Sequence, residues 1–210
     1  MAVNLEESGF MRILKLFAVL CFVFFLQNQV SCADSSSLAS KDPKIIQAIN
    51  LMSGTTAEWA RTAILGNNVS RRPMQIKFRN LAEISPNYKD FDALGWKDGK
   101  QLYIFINNKH ASAPPEALAS LLSHESVHQD EQCSLEEETY AWGYEADVWI
   151  QMKKRNSKLN TITLGSYPLV DRLNTLARTF QNGNYTTKKI RSMVYSNPGY
   201  NGLPVHSPGF

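Results

Sequence analysis

The sequence predicts an α+β domain that is mainly helical, with a small sheet whose edge strand flanks a helix bearing two histidines. The 210 residues are enough to bury a core, and 43% of them are hydrophobic, which is typical of a folded protein. Apolar residues recur at helical spacing through most of 43–195. Only two short stretches, 74–78 and 101–107, alternate as strands do, so we expect few strands.

The charge pattern excludes an obvious nucleic-acid partner. The formal net charge is only +3, and the chain has no arginine-rich stripe and no basic patch interleaved with aromatic residues. The densest basic cluster, residues 153–155, is explained by a solvated helix C-terminus, where cations are favourable. We therefore expect no nucleic acid among the partners.

Residues 1–33 have the pattern of an export signal. Arg12 and Lys15 form a basic region, and residues 16–26 form an apolar run that is too short to span a bilayer. Small residues at 31 and 33 suit cleavage after Ala33. The sequence thus predicts a signal peptide over 1–33 and a secreted or periplasmic mature chain without a transmembrane span.

Three alternatives at this end of the chain stay open. Two acids precede the basic region, so Met11 is a second candidate for the true start. A lipid on Cys32 would make the protein an anchored lipoprotein. An uncleaved helix over 13–26 would make it a membrane-anchored structural protein in which the histidines are incidental.

The cysteines give little support to a disulfide framework. Removal of residues 1–33 leaves Cys133 alone, so no internal disulfide could form. Cys133 could bind a metal, but structural zinc sites normally contain paired cysteines, and a loop position is the better interpretation.

The first part of the mature chain contains a linker, two helices and two strands. The small polar residues of 34–42 predict a linker, and the domain is expected over 43–195. Residues 43–64 predict two helices divided near Gly54. Strands are predicted at 74–78 and 101–107, with a loop containing Gly95 between them. We expect strand 101–107 to be the sheet edge.

The second part of the chain is predicted to be helical until its irregular tail. Pro114 and Pro115 suit the first turn of a helix that continues to about residue 129, because proline lacks the N–H that has no partner there. Further helices are expected from Ser134, over 167–180 and over 187–194. The Gly- and Pro-rich stretch 196–210 predicts an irregular tail.

The predicted helix at 116–129 contains the motif H-E-x-x-H at residues 124–128. Positions i and i+4 of a helix share one face, so His124 and His128 could bind one zinc ion. Glu125 is rotated by about 100° from His124, which suits a base beside the metal better than a ligand. The competing interpretation is an amphipathic helix with two polar histidines, but Leu118, Leu121 and Leu122 indicate a core-facing helix.

A catalytic zinc needs a third protein ligand, and the helix after Ser134 offers three consecutive glutamates. Ser134 and Glu137 have the spacing of a capping box, which would occupy Glu137 at the helix start. Glu138 is followed one turn later by the small Ala141, which would allow close approach. We therefore favour Glu138 and keep Glu137 as the alternative. Glu145 could orient a ligand histidine through its free N–H.

The stretches "LLSHESVHQ" and "EEETYAW" resemble the gluzincin type of metallopeptidase, especially its small members. In that family the H-E-x-x-H helix is followed by a glutamate helix that often reads E-x-x-A, and Glu138 to Ala141 fit this pattern. The resemblance implies a minimal zincin-like fold, zinc held by His124, His128 and Glu138, and Glu125 as the catalytic base. The interval from His128 to Glu138 is shorter than in the large members.

The function that this resemblance implies is that of an exported zinc peptidase acting on peptides or proteins. Glu125 would take a proton from the attacking water and pass it to the leaving amine. The residue that stabilises the transition state is not evident, and Tyr140, Tyr144 and His206 are the candidates. The alternative function is a zinc-binding or interaction protein of the same fold without peptidase turnover.

Overall fold

The computed structural model describes residues 35–66, 71–129, 133–181 and 186–207. The predicted signal peptide, its cleavage site and Cys32 lie outside these residues, so export and lipid anchoring remain predictions. Among the described residues, every helix is either too short or too polar to cross a membrane.

The predicted class, a mainly helical α+β domain with a small sheet, is confirmed. The described residues form seven α-helices and three strands. The helices are α1 (Ser36–Ala39), α2 (Pro43–Leu51), α3 (Glu58–Leu65), α4 (Pro115–Glu125), α5 (Leu135–Arg155), α6 (Pro168–Gln181) and α7 (Thr186–Tyr195). The strands are β1 (Gln75–Arg79), β2 (Ala93–Asp98) and β3 (Gln101–Asn107).

The sheet has the order β1-β3-β2, with β3 parallel to β1 and antiparallel to β2. The prediction that strand 101–107 is the sheet edge is therefore wrong, because β3 is the central strand. The edge strand next to the histidine helix is β2, in a stretch predicted as a loop. β2 and β3 form a hairpin whose turn uses Gly99 at a φ of 57°, a conformation that glycine adopts without steric cost.

Helix α4 is the most enclosed element of the domain. Every residue from Ala117 to Glu125 is buried, because the helix packs against α2, α5 and β2. Leu118 and Leu122 join Ile104, Ile106 and other apolar side chains in the main core. The fold thus buries a helix end that bears a histidine and a glutamate, and such groups need polar partners.

Residues 35–42 belong to the folded domain, which corrects the prediction of a linker over 34–42. Residues 36–39 form the short helix α1, and the Ser40 hydroxyl donates a hydrogen bond to the Ile76 carbonyl at 2.8 Å. The Asp42 side chain accepts the Lys44 N–H at 2.8 Å and caps α2. These contacts tie the segment to β1 and α2.

Candidate metal centre

The two histidines of the H-E-x-x-H motif lie at the C-terminal end of α4. The helix ends at Glu125 rather than near residue 129, so His128 lies in the turn that follows it. The Val127 N–H still bonds to the His124 carbonyl at 3.0 Å, and this turn keeps the two rings together. The centroids of His124 and His128 are 5.3 Å apart.

The first turn of α5 brings Glu138 to both histidines. Ser134 caps this helix by accepting the Glu137 N–H at 3.2 Å. The Oε2 atom of Glu138 lies 3.5 Å from Nε2 of His124, and its Oε1 atom lies 3.5 Å from Nε2 of His128. One donor atom from each of these three residues lies within 4.8 Å of the others. The structure therefore brings the three predicted ligands together.

The second nitrogen of each imidazole faces another carboxylate. His128 Nδ1 lies 2.7 Å from Glu137 Oε1, and His124 Nδ1 lies 3.5 Å from Glu145 Oε2. This position of Glu145 agrees with the expectation from the sequence that it orients a histidine through the free ring N–H. A carboxylate at Nδ1 favours the tautomer whose Nε2 lone pair is free for a metal.

The donor set fits a zinc ion. Two imidazoles and one carboxylate are a common ligand set of catalytic zinc, which keeps a fourth position for water or substrate. The Oε2 atom of Glu138 is buried and makes no hydrogen bond to any described residue. A buried carboxylate oxygen without a donor is costly unless a cation neutralises it.

A second group of potential ligands shares His128 and consists of His128, Cys133 and Glu137. In this group the Glu137 carboxylate is already engaged, because Oε1 faces His128 and Oε2 accepts the Ser207 hydroxyl at 3.1 Å. The Cys133 thiol donates to Glu138 Oε1 at 3.2 Å. Burial and the nearby Glu138 raise the pKa of this thiol, which disfavours the thiolate that binds zinc. The first group is therefore the better metal site.

The centre favours positive charge between its acidic groups. Burial alone would raise the pKa of Glu138, but the His124 imidazole at 3.5 Å and the charges of both histidines outweigh it and lower this pKa to about 2. Burial would lower the pKa of His124, and the carboxylates of Glu138 and Glu145 raise it well above its usual value. The same carboxylates that hold a proton on His124 would favour a divalent cation in its place.

Glu125 has the environment of a general base. Its residue surface is only 7% exposed, and burial raises the pKa of its carboxyl. A carboxyl with a raised pKa is better matched to proton transfer near neutral pH. Gly95 on β2 lies next to it, and a Cβ added at Gly95 would be 3.8 Å from Glu125 Oε2 and 3.6 Å from His128 Cβ.

A cleft of about 520 Å³ opens beside these residues. One wall is the edge strand β2, from Ala93 to Lys97, and another is formed by residues of the C-terminal segment. The C-terminal wall includes Tyr200 and Leu203, and Tyr88 and Phe91 add further aromatic surface. An extended chain could therefore lie along β2 with its backbone near Glu125.

Tyr200 is a site residue that sequence reasoning missed. Its hydroxyl accepts the Trp142 Nε1–H at 2.9 Å and contributes to the low pKa of Glu138. Burial and the Glu138 charge raise the pKa of Tyr200 far above its usual value, so the phenol stays protonated and can donate. Only its place in a Gly- and Pro-rich stretch was visible in the sequence, and such stretches seldom indicate a site.

The three residues considered earlier for transition-state stabilisation lie elsewhere. The Tyr140 side chain is 51% exposed and stacks on Tyr144, whose hydroxyl donates to the Thr56 carbonyl at 2.8 Å. His206 is exposed and lies 2.8 Å from Glu136. None of the three lines the cleft.

A charged network behind His124 was also not predicted. Arg172 on α6 pairs with both carboxylate oxygens of Glu145 and lies 2.6 Å from Asp92. Asp92 in turn lies 2.6 Å from His110. Because Glu145 is fully buried, Arg172 supplies the opposite charge that such a carboxylate requires. The network fixes Glu145 beside His124.

No protein family model matches this chain, and neither a curated protein nor a solved structure was found to be similar to it.

Proposed function

We propose that the protein is a zinc-dependent peptidase in which His124, His128 and Glu138 hold the metal. The observation that carries the proposal is the convergence of two Nε2 atoms on a buried carboxylate, each within 3.5 Å, at the side of an open cleft. The carboxylates of Glu137 and Glu145 lie at Nδ1 of His128 and His124, and this supports a ring orientation in which both Nε2 atoms face Glu138. The resemblance to the gluzincin type points to the same activity, although the interval from His128 to Glu138 is shorter than in the large members of that family.

The chemistry is divided among the residues around the cleft. Zinc bound there would polarise the carbonyl of the scissile peptide and make water a better nucleophile at neutral pH. Glu125 takes the proton of the attacking water and passes it to the leaving nitrogen. Tyr200 donates its hydroxyl to the oxygen on which negative charge develops.

The substrate would be an extended stretch of peptide or protein. β2 is an edge strand, so its outer side offers main-chain N–H and C=O groups to a partner strand. Gly95 removes the side chain that would otherwise separate a peptide paired with β2 from Glu125. The edge strand proposed for the substrate is thus β2, and not the strand 101–107 expected from the sequence.

A zinc-binding protein without turnover is the alternative that the same ligands support. Glu125→Gln separates the two functions, because glutamine is nearly isosteric but cannot accept a full proton. In a peptidase this variant keeps stoichiometric zinc and loses about 10²–10⁴-fold in rate. Zinc would be measured by elemental analysis of the purified protein and hydrolysis with a library of fluorogenic peptides.

Three results would contradict the proposal. A wild-type protein that binds no zinc would remove both functions. A zinc-loaded wild type that cleaves no peptide would leave only metal binding. A Glu125→Gln variant as active as wild type would contradict the role of Glu125 as the general base. Chelator treatment followed by return of zinc is the control, and it should abolish and then restore wild-type hydrolysis.

A further inference from the structure

Residues 197–207, here called the C-terminal strap, are joined to the start of α5. The Leu135 N–H donates to the Pro204 carbonyl at 2.9 Å, and the Glu136 N–H donates to the Val205 carbonyl at 3.2 Å. The first N–H groups of a helix have no acceptor within the helix, and here the strap supplies two. This irregular segment is therefore held by the same helix turn that presents Glu138.

Ser207 places a hydroxyl at the carboxylate of Glu137. Its Oγ atom lies 3.1 Å from Glu137 Oε2 and 3.1 Å from Ser134 Oγ. Ser134 and Glu137 are buried, and Ser207 is nearly so. The other oxygen of Glu137 faces His128 Nδ1 at 2.7 Å. One carboxylate therefore connects the strap to a ligand histidine.

The orientation of His128 depends on this carboxylate. Its Nε2 atom can offer a lone pair to a metal only when the proton is on Nδ1, which then needs an acceptor. Glu137 has rotatable bonds, and a partner at Oε2 limits the rotation that would carry Oε1 away from Nδ1 of His128. Among the described residues, the strap hydroxyl of Ser207 is the side-chain donor at Oε2.

We propose that Ser207 is a positioning residue that holds His128 through Glu137 and makes the strap a working part of the metal centre. This inference rests on the proposed function, since it assumes that His128 binds zinc. Ser207 itself touches neither metal nor substrate. Its contribution is to limit the freedom of the Glu137 carboxylate, and through it that of the imidazole.

The test measures zinc dissociation constants by competition with a chromophoric chelator. Loss of a group that contacts a ligand typically weakens zinc binding about 10–100-fold, and we expect about 10-fold for Ser207→Ala, because it acts one step further out through Glu137. Ser207→Thr keeps the hydroxyl and should bind within a few-fold of wild type. Ser196→Ala is the matched control, because the Ser196 hydroxyl is exposed and donates to the Met193 carbonyl, away from the centre.

A double-mutant cycle separates positioning from general packing. If Ser207 acts through Glu137, then Ser207→Ala should cause no further loss of affinity in a Glu137→Ala background. The same loss in both backgrounds would overturn the proposal, as would wild-type affinity in Ser207→Ala. The cycle tests whether Ser207 acts through Glu137 even if the extra methyl group of Ser207→Thr disturbs the strap.

The outcomes distinguish this inference from the function beneath it. A wild-type protein without zinc overturns the proposed function and the role of Ser207 together. Zinc that is bound equally well by wild type and Ser207→Ala overturns only the role of Ser207, and the proposed peptidase stands.

Discussion

The Nδ1 atom of His128 lies 2.7 Å from Oε1 of Glu137, while its Nε2 atom lies 3.5 Å from Oε1 of Glu138. Two consecutive glutamates thus contact opposite sides of one imidazole. Their side chains diverge by about 100° around the helix, so they cannot both face the same point. This arrangement separates an orienting carboxylate from one that is placed to bind the metal.

The first prediction concerns these neighbouring glutamates. Glu138→Ala should lose zinc on dialysis, because two imidazoles alone bind the metal much more weakly. Glu137→Ala should keep zinc with an affinity lowered about 10–100-fold, since it removes only the orienting group. The half-buried neighbour Glu136, which pairs with Arg191 and His206 and not with the two central histidines, provides the matched control Glu136→Ala. Full zinc in Glu138→Ala with loss in Glu137→Ala would reverse the two roles.

The second prediction uses Gly95 to test the cleft along β2. A Cβ at this position would be in ordinary van der Waals contact with Glu125 and His128, so Gly95→Ala should keep both zinc and hydrolysis. Gly95→Leu should keep zinc but lose most of its hydrolysis, because the larger side chain fills the space beside Glu125. Equal turnover by the two variants in the peptide assay would show that substrate does not pass along this strand.

The third prediction concerns the phenol of Tyr200. Tyr200→Phe removes the hydroxyl and leaves the ring, so we expect zinc content to stay the same. The rate constant kcat should fall by about 10²–10³-fold, the usual loss for one donor to a developing oxyanion. Tyr88→Phe is the control, because Tyr88 lines the same cleft. Its ring packs against that of Phe91, with the two centroids 5.4 Å apart. A fall in zinc affinity without a fall in kcat would assign Tyr200 a purely structural role.

The fourth prediction concerns acid stability. The side chain of Asp92 is largely buried, which raises its pKa, but His110, Arg172 and Lys109 together lower it well below the usual value. A carboxyl with a lowered pKa stabilises the fold above its unfolded-state pKa of about 3.9, and this contribution is lost as the pH falls below that value. Asp92→Asn should therefore be less stable than wild type at pH 7.

The measurement for this fourth prediction is the free energy of unfolding of the metal-free protein in denaturant at several pH values. The difference between wild type and Asp92→Asn should shrink as the pH falls from about 5 towards 2, because the aspartate then takes up a proton in the unfolded chain but not in the folded one. A difference that stays constant over this range would contradict the assignment.

The helical elements were largely predictable because their signals are local. The bounds of α2, α3, α6 and α7 agree with apolar periodicity and with stops at Gly54, Gly66 and Gln181. The proximity of His124 and His128 was predictable for the same reason, since a four-residue spacing needs only one helical turn. The early end of α4 was not foreseen, because nothing local marks Ser126 and Val127 as a turn.

The missed features depend on contacts between distant parts of the chain. β2 has a weak alternating pattern with Gly95 at its centre, although Asp98-Gly99 is a strong hairpin signal that could have revealed it. The S-x-x-E spacing correctly predicted that Ser134 caps α5. The Glu137 carboxylate, however, contacts His128 instead of completing the capping box. Tyr200 and Ser207 reach the site only through the path of the strap, which no spacing in the sequence encodes.

The position of the strap along the chain affects when the site can form during synthesis. The H-E-x-x-H motif and the glutamate helix leave the ribosome before Tyr200 and Ser207 do. An emerging chain that has presented both histidines still lacks the hydroxyl at Glu137 and the phenol at Glu138. Under the proposed function, a nascent chain would therefore hold metal weakly and cleave little until its strap had folded back onto α5, which would limit unwanted cleavage during synthesis.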